Sequence, residues 1–143
     1  MNSEFTIAVH SMVYLANLPD RMATSDVIAH NVNTHPSRLR KVMSCLRKHG
    51  YIATKEGIGG GYMLNISPEQ VNLSEIYRAT SIGSIKPGWC SGNEDDACIV
   101  ACNMAEVMDQ IFCEAEKHLL HYLQQTTILD VLNRVRAAQQ QKA

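Results

Sequence analysis

Four of the five residues from Gly57 to Gly61 are glycine, inside the run KEGIGGGYML at residues 55–64. Each glycine costs roughly 1 kcal/mol relative to alanine inside a helix, so this stretch is not helical. It suits the tip of a tight hairpin, where the backbone takes positive φ or closely approaches another molecule. Directly before it lies the basic segment SRLRKVMSCLRKHGYI, residues 37–52. A two-stranded hairpin following a basic helix is the construction of a winged helix-turn-helix, so double-stranded DNA is the expected partner.

The charge pattern agrees once it is divided along the chain. The net charge of the 143 residues is −1, but from His35 to Tyr62 six Lys/Arg face one acid, Glu56. From Ser74 onward the balance reverses, with nine acids against six basic residues. Charge concentrated on one element binds phosphates even when the whole chain is nearly neutral. No apolar run approaches the roughly 20 residues needed to span a bilayer, so no membrane partner is expected. The opening MNSEFTIAVH carries an acid and no basic stretch, which argues against a secretory signal and for a cytoplasmic protein. Five cysteines, an odd number outside a small secreted scaffold, read as ligands, reactive thiols or core fillers rather than structural disulfides.

The periodicity predicts a mostly α chain with a small β wing. Phe5, Ala8, Val9, Met12, Val13, Leu15 and Ala16 give an amphipathic helix over 4–18, stopped by Pro19-Asp20. Thr24 or Ser25 is expected to cap a short second helix. Asn31–Thr34 forms a turn. Asn33 or Thr34 is expected to cap a third helix, with Pro36 in its first turn. Leu39, Val42, Met43 and Leu46 form its inward stripe, leaving Ser37, Arg38, Arg40 and Lys41 near the opposite face at its N-terminal end. In a helix-turn-helix those positions enter the major groove. Residues 51–54 and 62–66 are the wing strands, and Ser74 is expected to cap another short helix. Residues 82–97 are irregular and carry the acidic run Glu94-Asp95-Asp96. A long helix from about Cys98 to Gln124 keeps an apolar seam for some six turns, more than a small wing domain can cover, and predicts a helix from a second subunit. Thr127 and Asp130 suggest a capping box for a last helix over 128–135, with a frayed tail after it.

This order of elements resembles the Rrf2 family of winged-helix transcription regulators, which includes iron–sulfur and redox sensors. The likeness rests on VIAHNVNTHPSRLRKVMSCLRKHGYI, the wing GIGGGYML, the following NISPEQVNLSEIYRA, a cysteine-bearing loop and the long helix. It implies a winged helix-turn-helix domain over 1–80, a sensor loop over 81–97 and a dimerisation helix with a C-terminal helix over 98–143. It also implies a homodimeric repressor on a palindromic operator. Carried over by position, Ser37, Arg38, Arg40 and Lys41 face DNA from the recognition helix; in the wing Lys55 or Tyr62 is expected to contribute, with Gly60 allowing close backbone approach. Many relatives place arginine before the first wing glycine. This chain has Glu56 there, which repels phosphate and keeps open a winged-helix interaction module that binds no DNA.

Cys90, Cys98 and Cys102 fall where cluster-binding relatives place three thiolate ligands. Soft sulfur suits iron, so an iron–sulfur cluster held by this trio is one reading. The other is sensing by thiol oxidation: Cys98 and Cys102 are four residues apart, and a helix N-terminus lowers a thiol pKa. Glu94, Asp95 and Asp96 push that pKa the other way. Thiol sensing is favoured, because the second gap is short for a cluster, no histidine follows Cys102 closely, and the first helix offers Ala8 where some relatives supply an acid. Cys45 and Cys113 read as packing residues. His118 and His121 stand roughly 25 Å along the helix from Cys102, too far for a shared zinc site within one subunit. No P-loop, nucleophile elbow or paired histidine–acid zinc motif is present, so an enzyme is not expected.

Overall fold

The computed structural model describes residues 2–142. Six α-helices, α1 (Glu4–Asn17), α2 (Ser25–Val32), α3 (Pro36–Lys48), α4 (Leu73–Thr80), α5 (Ile99–Leu123) and α6 (Ile128–Lys142), accompany three short strands, β1 (Met22–Ala23), β2 (Ile52–Lys55) and β3 (Gly61–Leu64). The strands form one antiparallel sheet in the order β1-β3-β2, with Met22 opposite Met63 and Thr54 opposite Tyr62. Among the described residues no helix is long and apolar enough to cross a membrane.

One core joins the N-terminal helices. Ala8, Met12 and Leu15 of α1, Ile28 of α2 and Leu39, Met43 and Leu46 of α3 are fully buried in it. Burying a side chain of this size removes it from water for roughly 1.5–3 kcal/mol, so the three α3 residues set that helix's rotation. Ile128 and Leu132 of α6 join the same core, and α6 lies along α1. The Ile128 N–H bonds the Val71 carbonyl at 3.0 Å and the Leu73 N–H the Thr126 carbonyl at 2.9 Å, fastening α6 beside α4. Only the last part of α5 packs on this body: Leu120 and Leu123 lie against Tyr77, whose ring meets Phe5 edge-on.

Several ends differ from the sequence expectation, each for a local reason. The two-residue strand β1 was not anticipated; it is too short to show a period, and its pairing with β3 creates it. Thr24 caps α2 as expected, its hydroxyl accepting from the Val27 N–H at 3.3 Å. Asn33 does not cap α3. It ends α2 in the left-handed region, φ 64°, which asparagine tolerates. His35 caps α3 instead, Nδ1 accepting from the Ser37 N–H at 3.2 Å. Ser74 is buried, and Asn72 caps α4 in a reciprocal box with Glu75, at 3.0 and 2.9 Å. The Thr127–Asp130 box forms, at 2.9 and 3.1 Å, but α6 continues through Lys142 rather than ending at Val135. Of the tail expected to fray, residues through 142 are helical and exposed, and Ala143 lies outside the described residues.

Asn72→Ala removes one partner of the α4 box. The expected cost is about 1 kcal/mol of unfolding free energy, measured by urea titration. A loss within a few tenths of zero would show that Asn72 does not cap the helix in solution.

Candidate nucleic-acid interface and cysteine loop

With Leu39, Val42, Met43 and Leu46 turned inward, the opposite side of α3 must face solvent. Ser37, Arg40, Lys41, Arg47 and Lys48 are exposed there, and Ser44 is half-buried among them. Spacings of three and four residues place Arg40, Ser44, Arg47 and Lys48 along one ridge. The four positions expected to face DNA do not stand alike. Arg40 is free of ion pairs among the described residues. Ser37 Oγ lies 2.8 Å from His35 Nδ1, so its hydroxyl is engaged in the cap. Arg38 donates to Ser3 Oγ, and Lys41 pairs with Glu4 at 3.4 Å. Ser44, Arg47 and Lys48 were not among the positions expected to face DNA, although their i, i+4, i+7, i+8 relation to Arg40 puts them on its ridge.

The wing is a four-residue-paired hairpin closed by Lys55 opposite Gly61. Gly57 and Gly59 take φ of 90° and 78°, and the Gly60 N–H bonds the Gly57 carbonyl at 3.0 Å. A Cβ on Gly60 would run into the Lys55 carbonyl, and one on Gly61 into the Ala23 carbonyl. The close approach that these glycines permit is therefore to the chain's own backbone. Lys55 and Glu56 are exposed at the entrance and Ile58 stands fully exposed at the tip. Tyr62 is half-buried and packs against the core from β3.

The irregular segment between α4 and α5 is tied down at both ends. Glu116 of α5 accepts from the Tyr77 hydroxyl at 2.8 Å and the Gly83 N–H at 2.5 Å. Burial pushes the Tyr77 phenol above its ordinary pKa. Further along, the Asn93 N–H bonds the Ala101 carbonyl at 2.9 Å, folding the loop back on the first turn of α5. Cys98 is the exposed N-cap residue of that helix. The N–H groups of Ala101 and then Val100 hold its thiol below the usual pKa, while burial opposes them slightly. Cys102 is half-buried one turn on, its N–H bonded to the Cys98 carbonyl at 3.0 Å. Cys90 is exposed in a hollow of about 200 Å³ against Ala105, Met108 and Phe112.

Thiolates are suitable donors for an iron–sulfur cluster, but their arrangement in one subunit is not that of a cluster site. Among the described residues no three His, Cys, Asp or Glu side chains converge for a metal ion, and Cys90 sits over the second to fourth turns of α5 rather than its first. Cys45, read as packing, is half-buried and donates to the Ala79 carbonyl at 2.7 Å.

A basic helix seated by its apolar stripe, followed by a paired hairpin, defines a winged helix-turn-helix DNA-binding protein. The chain belongs to the Rrf2 family, described as iron-dependent transcriptional regulators, whose model matches residues 1–134. Among relatives, NsrR of Halalkalibacterium halodurans, an HTH-type transcriptional regulator, is 30% identical over 124 residues, covering 85% of this chain and 82% of its own length. YwnA of Bacillus subtilis is 26% identical over 133 residues, covering 93% of this chain and 97% of its own. A solved Lactobacillus plantarum protein superposes with a TM-score of 0.82 at 29% identity, covering 95% of this chain and 91% of its own. IscR of T. potens shares the fold, with a TM-score of 0.71 at 21% identity, covering 97% and 90%. The family's proteins are transcription regulators, not enzymes, and the expected fold class holds.

The depressed thiol has a direct consequence. Alkylation of Cys98 by iodoacetamide should follow a titration curve centred below the ordinary thiol value. Mass spectrometry of timed digests across a pH series reads this; a curve centred at or above the value of free cysteine would remove the helix-start effect.

Proposed function

We propose that the chain is a homodimeric repressor that reads a two-fold symmetric operator with α3 and responds to oxidants through Cys98. The observation that carries the dimer is the unpartnered apolar face of α5. Ile99 is 77% exposed and Ile111 51%, and Val100, Met104, Val107 and Tyr122 are exposed on the same helix. Water contact over so much of a 25-residue helix, about 37 Å long, is costly unless a second copy covers it. A two-fold pair presents two α3 helices, and a palindromic operator is the matching DNA symmetry. Repression follows from coverage, because a dimer seated on a promoter needs no further contact to block it.

The exposed ridge supplies the DNA contacts. Arg40 can donate two hydrogen bonds to a guanine edge, and Arg47 and Lys48 meet phosphates. Lys55 and the rigid hairpin serve the wing, with Glu56 weakening its hold on phosphate. For sensing, the Cys98 thiolate attacks a peroxide, losing two electrons to it and becoming a sulfenic acid. Attack by the Cys102 thiol then gives the disulfide and releases water. Side chains four apart on a helix are about 5–6 Å apart at Cβ, wider than a disulfide allows, so the first turn of α5 must shift. That turn holds Asn93 and with it the loop.

Arg40→Ala with Arg47→Ala tests the reading of α3. Binding to genomic fragments retained by the native protein should weaken, and the slope of log affinity against log salt should fall by about one per lost phosphate contact. An unchanged slope and affinity would sink the assignment of α3, and a native protein with no salt response would favour the interaction module. Cys98→Ser should make operator binding indifferent to peroxide concentrations that release the native protein. Equal peroxide release of both would place the sensor elsewhere.

A further inference from the structure

Two of the cations on α3 are already occupied within the chain. Lys41 Nζ lies 3.4 Å from Glu4 Oε1, although Lys41 is 77% exposed and only Glu4, at 27%, is partly covered. Arg38 Nη2 donates to Ser3 Oγ. Both partners belong to the residues that open α1, and this turn is held from its other side as well. Asn2 Oδ1 accepts from the Glu4 N–H at 3.2 Å and from Ser81 Oγ at 3.0 Å. Ser81 is buried and ends α4, where the chain enters the segment that carries Cys90.

An acid in the first turn of a helix favours the helix dipole, and that role alone needs no lysine beside it. Placed against Lys41, the same carboxylate does something else. A phosphate that approaches Lys41 meets a charge already partly neutralised by Glu4 and is repelled by the carboxylate. Arg38 has one guanidinium nitrogen committed to Ser3 and so offers DNA fewer free donors.

We infer that Ser3 and Glu4 form a brake on DNA binding. They hold Arg38 and Lys41 in an intramolecular contact, and Asn2 ties the brake to the entrance of the cysteine loop. This rests on α3 being the helix that meets DNA. With the brake set, α3 engages phosphate through Arg40, Arg47 and Lys48. Movement at Ser81 loosens Asn2, frees the opening turn of α1 and adds Lys41 and Arg38 to the contact. The device thus makes the number of phosphates engaged depend on the state of the loop.

The test compares full-length native protein, Glu4→Gln, Lys41→Ala, the double variant and Asn2→Ala on one labelled DNA fragment, by fluorescence anisotropy across roughly 50–200 mM salt. Glu4→Gln should bind about three- to tenfold more tightly at the low-salt end and steepen the salt slope by about one, as one more phosphate contact requires. Asn2→Ala should move both quantities in the same direction, which guards against an artefact of either substitution on folding. Lys41→Ala should leave the salt slope of the native protein unchanged, because Glu4 already holds that charge, and it should cancel the gain in the double variant. The brake is overturned if Glu4→Gln leaves affinity and slope unchanged, or lowers them, or if Lys41→Ala alone lowers the slope, since Lys41 then meets phosphate with Glu4 in place. If Lys41→Ala leaves the gain of Glu4→Gln intact in the double variant, Lys41 does not meet phosphate and the brake falls for that reason.

Discussion

The burial of Leu39, Met43 and Leu46 against α1 and α2 is the contact on which the rest of the structure depends. These side chains are fully removed from water, so α3 has one rotation about its axis, and its polar residues are forced to the surface as one face. The wing inherits its place from the same packing, because Ile52, at the start of β2, is buried in the same core. Replacing Leu39 by alanine in such a setting removes about 2–5 kcal/mol, a large share of the stability of a small domain. The charged ridge is thus a by-product of the apolar stripe.

Local chemistry made much of this legible. Glycines at 57 and 59–61 announced a hairpin because few other residues take the required conformations, and the structure shows what each allows: positive φ at Gly57 and Gly59, close backbone at Gly60 and Gly61. The stripe of α3 was legible because period 3.6 is unmistakable over thirteen residues. The caps were harder. Asn33, Thr34 and His35 all carry side chains able to cap, and the chain's path, not residue type, decided among them. Strand β1 was invisible, since two residues show no alternation and depend on a partner forty residues away.

The site was legible as a region rather than as a list of side chains. Sequence placed Arg38, Arg40 and Lys41 together on one helix. It did not reveal that Ser3 and Glu4 reach two of them across more than thirty residues, or that Arg40 continues into Arg47 and Lys48. Tyr62 shows the same limit: its place beside the glycines suggested DNA, and the sequence did not reveal that part of the ring also packs against the core. The cysteines divide by backbone geometry. Cys98 lies at a helix start whose N–H groups favour its thiolate, Cys102 follows one turn on, and Cys90 is held apart over α5. Thiol chemistry needs only the first two.

The proposed function is that of a two-fold DNA reader built on α3, with α5 supplying the symmetry. Selection of binding fragments from a random duplex library tests it most directly, because no operator need be known beforehand. A two-fold reader should enrich inverted repeats whose half-sites lie one or a few helical turns apart, with guanine N7 methylation in each half-site blocking recovery. Enrichment of a single unrepeated half-site, or recovery of no sequence above the starting pool, would contradict it.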